Sequence, residues 1–121
     1  MNIVKKILLP TVILLALDFI YLSMNRRIFE NQIIQIQRVS MQLNYWSMAA
    51  CYLLVIAGLY YFILRSHRSI AEAFFLGIVI YGVYETTNYA TLKKWSLSFA
   101  IMDTLWGGIL FALTTFFTYA L

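Results

Sequence analysis

Residues 70–120, IAEAFFLGIVIYGVYETTNYATLKKWSLSFAIMDTLWGGILFALTTFFTYA, decide the architecture of this chain. Two long apolar runs flank a short basic break at Lys93 and Lys94. Runs of about 20 apolar residues are long enough to cross the hydrocarbon core of a bilayer as helices. A break of about four residues, Lys93 to Ser96, returns the chain on itself and makes the two helices antiparallel neighbours.

Reading outward from this pair, two more apolar runs lie upstream. The four spans expected are about 7–24, 44–64, 70–92 and 97–120, each boundary good to about two to four residues. Of the 121 residues, 63% are hydrophobic and only 12% charged. The mean hydropathy is +0.80. A soluble domain is nearer about 45–50% apolar. The expected fold is therefore an all-α membrane protein, an up-down bundle of four transmembrane helices. Residues 1–121 form a single four-helix transmembrane domain on this reading, with little left outside the bilayer.

The first run resembles a signal peptide, with Lys5 and Lys6 before an apolar stretch. Asp18, however, stands where small residues would mark cleavage, and the apolar run resumes through Phe19 and Leu22. It reads as a retained helix with Pro10 in its first turn, where a missing N–H matters little. Residues 25–43 read as an interfacial loop or amphipathic segment, because Ile28, Phe29, Ile33, Ile34, Ile36 and Val39 alternate irregularly with Gln, Asn and Arg. The turn around Ser66 to Ser69 is also short, so the second and third spans are expected to be antiparallel neighbours too.

The formal net charge is +4. That does not imply nucleic-acid binding, because the basic residues flank spans, where they snorkel to headgroups. In an up-down bundle Lys5, Lys6, Arg65 and Arg68 share one side, and Arg26, Arg27, Arg38, Lys93 and Lys94 the other. The near balance leaves orientation open, although the early pair leans toward cytoplasmic termini. The single Cys51 cannot form an intrachain disulfide. The single His67 lies in a turn. There is no zinc-ligand spacing, P-loop or Rossmann glycine pattern. No residue set reads as catalytic, no cofactor or metal is expected, and an enzyme is the less favoured reading.

Three of the five acidic residues lie inside these spans: Asp18, Glu85 and Asp103. An ionisable group at membrane depth costs roughly 2.5–3.5 kcal/mol on insertion scales, so each needs a partner, a cavity or a task. At 1.5 Å rise per residue all three fall about 9–10 Å below the same membrane face. Helical spacing puts Tyr81 and Asn88 on the face of Glu85, with Thr91 on the stripe beside it. On the fourth span Asp103, Trp106, Gly107, Leu110 and Thr114 form one stripe. Beside it runs a ladder of Ala100, Thr104, Gly108 and Ala112, small enough for close helix approach. On the first span Leu14, Asp18, Tyr21 and Asn25 align.

The block YGVYETTNYATLKKWS, followed by Asp103, Trp106 and Gly107, resembles a family of small bacterial membrane proteins called domain of unknown function 2177. That family carries a YGxYDLTNxATLKxWP block, a DxxWG element on the next helix and an early LDxxWL element, matched here by Leu17 to Leu22. Glu85 stands where the family has Asp, and Ser96 where it has Pro. The resemblance implies a fold and a site but no reaction. It picks out Asp18, Glu85, Asn88, Thr91, Lys93, Trp95, Asp103 and Trp106.

Two function classes stay open on these residues. Asp18, Glu85, Asn88 and Asp103, supported by Tyr81, Thr91, Lys93, Trp95 and Trp106, would line a proton or cation pathway in a transporter or channel, working as a homo-oligomer. Alternatively, they would serve a membrane enzyme or accessory acting on a lipid, with two carboxylates as acid and base. A structural membrane or envelope role is the plainer reading of the same polar core.

Overall fold

The computed structural model describes residues 3–37, 45–92 and 95–121. Among these the chain is helical apart from short turns, and it contains no strand. The elements are α1 (Ile3–Met24), α2 (Arg26–Gln37), α3 (Tyr45–Leu59), α4 (Ile70–Thr91) and α5 (Leu97–Ala120). α3 runs on through a wider π-helical turn, Tyr60–Leu64. Four of these helices are long and apolar enough to span a membrane, at Val4–Met24, Tyr45–Leu64, Ile70–Thr91 and Leu97–Ala120. The protein is an all-α membrane bundle.

α5 is the central helix. It packs along α4 on one side and along α1 on the other, and α3 leans on α1. Leu14, Leu59, Leu110 and Phe111 are fully buried where these helices meet, with Val55, Ile56 and Ala73 around them. The outward faces carry Phe19, Leu53, Leu54, Phe75 and Val83, all exposed in the isolated chain and suited to acyl chains. α4 and α5 approach at glycine. A Cβ on Gly77 would fall on the backbone carbonyl of Gly107, and one on Gly107 would fall in the Tyr81 ring.

Local chemistry sets the helix ends. Ser69 caps α4 in a reciprocal box with Glu72, the Glu72 N–H donating to Ser69 Oγ (3.1 Å) and the Ser69 N–H to Glu72 Oε1 (3.3 Å). Ser96 caps α5 by accepting the Phe99 N–H (3.2 Å). The chain leaves α3 through His67 in the left-handed region (φ 52°). The His67 ring stacks on Tyr119 (3.9 Å, 18°), whose hydroxyl donates to the Arg68 carbonyl (2.7 Å).

Three expectations are corrected. First, α1 is helical from Ile3, so Pro10 lies inside it rather than in its first turn. The basic pair Lys5–Lys6 continues the helix outward instead of starting it. Second, residues 26–37 of the expected loop or amphipathic segment are helix, separated from α1 by the single residue Asn25. The helical hydrogen bonds continue across this residue, Asn25 N–H to Tyr21 O (3.1 Å) and Phe29 N–H to Asn25 O (3.2 Å), so the chain passes from α1 to α2 without unwinding. Third, α3 and α4 are joined by a short turn yet do not pack along their lengths. Bulky Phe62 and Phe75 stand in the groove between them, with Arg68 and Glu72 at its mouth. The rest of the expected loop, residues 38–44, lies outside the described residues.

Candidate functional site

The three intramembrane acids are buried: Asp18 and Asp103 are 6% exposed and Glu85 is 0% exposed. Buried polar groups must be hydrogen-bonded, and in lipid the partner has to come from protein. Here the donors are aromatic. Asp18 Oδ1 accepts the Trp106 indole N–H (3.0 Å), and Asp18 Oδ2 accepts the Tyr52 hydroxyl. Asp103 Oδ1 accepts the Tyr21 hydroxyl (3.1 Å). Glu85 Oε2 accepts the Trp95 indole N–H (3.2 Å).

The pairing between α1 and α5 is reciprocal. Asp18 and Tyr21 are i, i+3 neighbours on α1, and Asp103 and Trp106 are i, i+3 neighbours on α5. Each helix gives its aromatic donor to the acid of the other. Between the two bonds the Tyr21 and Trp106 rings stack nearly parallel, with centroids 4.5 Å apart and planes 4° apart. The helices are antiparallel, so the two i, i+3 steps match in register. At the far end of the same helices Lys5 Nζ donates to the Leu121 carbonyl (3.1 Å).

Glu85 completes the layer from α4. Its carboxyl neighbours that of Asp103, close enough for the two to interact directly. Its Oε1 atom is buried and has no donor among the described residues. Two ionised carboxyls can only accept, so this contact is satisfied only when a proton lies in it. The groups thus follow one another from Trp95 to Glu85, Asp103, the Tyr21–Trp106 stack, Asp18 and Tyr52. They form a line rather than a cage: among the described residues no three His, Cys, Asp or Glu side chains converge to hold a metal ion. The ion pairs found among those residues lie elsewhere on the surface, Arg26–Glu30 (2.9 Å) and Arg68–Glu72 (3.4 Å).

Other expected residues fall variously. Tyr81 packs edge-on to Phe111 (6.3 Å, 81°) beneath the acids, and its ring lies against Gly107. Asn88 is half-buried beside Tyr84 rather than bonded to Glu85. Thr91 is exposed, and its hydroxyl donates back to the Thr87 carbonyl (2.8 Å), which removes it from the acid layer. Lys93 lies outside the described residues. Sequence reasoning missed Tyr52 and gave Tyr21 no role. The available signal was chemical: a phenol inside a span needs an acceptor, and acids were the acceptors on offer.

Fold and site together define a small multi-pass membrane protein with a buried acid layer near one face. Residues 3–120 match the family described as "Predicted membrane protein (DUF2177)", and the chain belongs to that family. No curated protein and no solved structure matches it.

Proposed function

We propose that the protein binds and hands on protons within the bilayer, through the line of Glu85, Asp103 and Asp18. The observation that carries this reading is the neighbouring pair of buried carboxyls, Glu85 and Asp103, with Glu85 Oε1 lacking a donor among the described residues. Like charges this close in low dielectric do not both persist, and one proton between them satisfies both oxygens. Tyr21, Tyr52 and Trp106 hold the remaining oxygens, so proton exchange needs no rearrangement of helices. The whole chain acts as one transmembrane domain in this reading, and a homo-oligomer would extend the path. With the Lys5–Lys6 pair holding the termini cytoplasmic, the acid layer lies toward the outer face. The linear arrangement favours a proton over a coordinated cation.

The test is flux in protein-only liposomes under an imposed potential, read with an internal pH dye and with cation indicators. Wild type is expected to move protons, and Glu85→Gln or Asp103→Asn to abolish the movement. A wild type that passes nothing above empty liposomes, yet alters a lipid in cell extracts, would replace this reading with that of a lipid enzyme.

A further inference from the structure

One side chain closes the acid line toward the nearer membrane face. Glu85 lies six residues before the end of α4 at Thr91, about 9 Å below it along the helix. Trp95 sits beyond that end, in the turn, with its backbone N–H donating to the Leu92 carbonyl (3.1 Å). Its indole folds back into the bundle, is 8% exposed and donates to Glu85 Oε2 (3.2 Å). The Trp95 ring meets Phe99 edge-on (5.4 Å, 86°). Phe99 in turn meets Phe29 of α2 (4.7 Å, 83°), and Phe29 meets Tyr21 (6.0 Å, 82°). A turn, the spanning helix α5 and the helix α2 therefore supply one aromatic cover.

We infer that Trp95 is the gate of the acid line: its indole positions Glu85 and shuts it from the aqueous face, while Phe29 and Phe99 hold the indole in place. This role rests on the acid line exchanging protons at all. The Trp95 backbone N–H is held by the Leu92 carbonyl, and the next residue, Ser96, caps α5. Opening therefore needs only a rotation of the Trp95 side chain, with no helix displaced. The indole N–H is neutral, so it can leave the carboxyl without stranding a charge of its own. Glu85 then exchanges one hydrogen bond for contact with water, which can donate to its carboxyl in place of the indole.

Access can be read directly on the full chain in liposomes. A water-soluble carbodiimide with an amine nucleophile is added outside, and amide formation at Glu85 is followed by peptide mass spectrometry. Vesicles with the acid-proximal face outward are selected by removing those whose terminal affinity tag is accessible from outside. Trp95→Ala is expected to raise the Glu85 labelling rate on the order of tenfold, the factor carried by a hydrogen bond to a carboxylate. Trp95→Phe, which keeps a ring and loses the donor, should fall between Trp95→Ala and wild type, and Phe29→Ala should also accelerate labelling. Phe62→Ala, on the exposed face of the bundle, should leave the rate unchanged. Wild-type labelling rates in Trp95→Ala, with helix content and Asp18 protection intact, would overturn the gate. If Trp95→Ala does not fold, an unchanged rate in Trp95→Phe overturns it instead. Flux without any labelling difference sinks the gate alone, whereas gated labelling without flux sinks the proton-transfer reading alone.

Discussion

α5 holds its two neighbours by different means. Against α4 the contact is steric: Gly77 and Gly107 let two backbones meet, and Gly108 makes room for Ile78 and Phe74. Against α1 the contact is chemical: two acids, an indole and a phenol exchange hydrogen bonds around a ring stack. A steric interface depends on the absence of atoms and tolerates almost no addition. A chemical interface depends on particular atoms and loses strength stepwise as they are removed. In lipid, where apolar surface gains little by association, both devices are needed.

The sharpest way to break this contrast is Gly77→Ala. The added methyl meets Gly107 backbone, which cannot swing aside, so the helices must part. We expect a loss of about 2–3 kcal/mol, measured by reversible unfolding in mixed detergent. Unchanged stability would mean that α4 and α5 are not in backbone contact.

The chemical interface should respond more gently. Tyr21→Phe and Trp106→Phe each leave a buried carboxylate oxygen without its donor, at a cost of about 1–2 kcal/mol. Because the two rings are stacked, the double variant should depart from additivity by on the order of 1 kcal/mol. A strictly additive cycle would show two independent hydrogen bonds rather than one unit.

The smallest effect tests a glycine outside both interfaces. Among the described residues, nothing lies within 4 Å of where a Cβ on Gly58 of α3 would stand. Gly58→Ala should stabilise the helix by about 0.5–1 kcal/mol through backbone entropy alone. A loss of stability there would reveal a neighbour packed on α3.

The two interfaces were not equally legible. The ladder Ala100, Thr104, Gly108 and Ala112 marked a face of close helix approach on α5 from spacing alone, without saying which helix would meet it. The structure confirms this side through Gly108 and through Thr104, whose methyl would lie 3.5 Å from a Cβ on Gly82. The adjoining stripe from Asp103 to Thr114 likewise runs buried toward the core, through Asp103, Gly107, Leu110 and Thr114. What spacing could not give was the pairing of acids with donors. That depends on which helices are neighbours, and Tyr52 reaches Asp18 only because α3 leans on α1. The π-helical end of α3 was equally hidden, because the residues of Tyr60–Leu64 are compatible with an ordinary helix. The break between α1 and α2 left little trace beyond Asn25 itself, whose side chain donates to the Tyr21 carbonyl (2.9 Å).

The bonds between α1 and α5 obey an approximate local two-fold rotation. A half-turn about an axis through the Tyr21–Trp106 stack exchanges Asp18 with Asp103 and one ring with the other. An arrangement of this kind is self-complementary, as in an isologous dimer contact. A lone helix carrying Asp-x-x-Trp at this depth would present both halves of the lock and could clasp an antiparallel copy of itself. The pattern is thus a compact module for joining antiparallel membrane helices, built from four side chains and transferable to designed bundles.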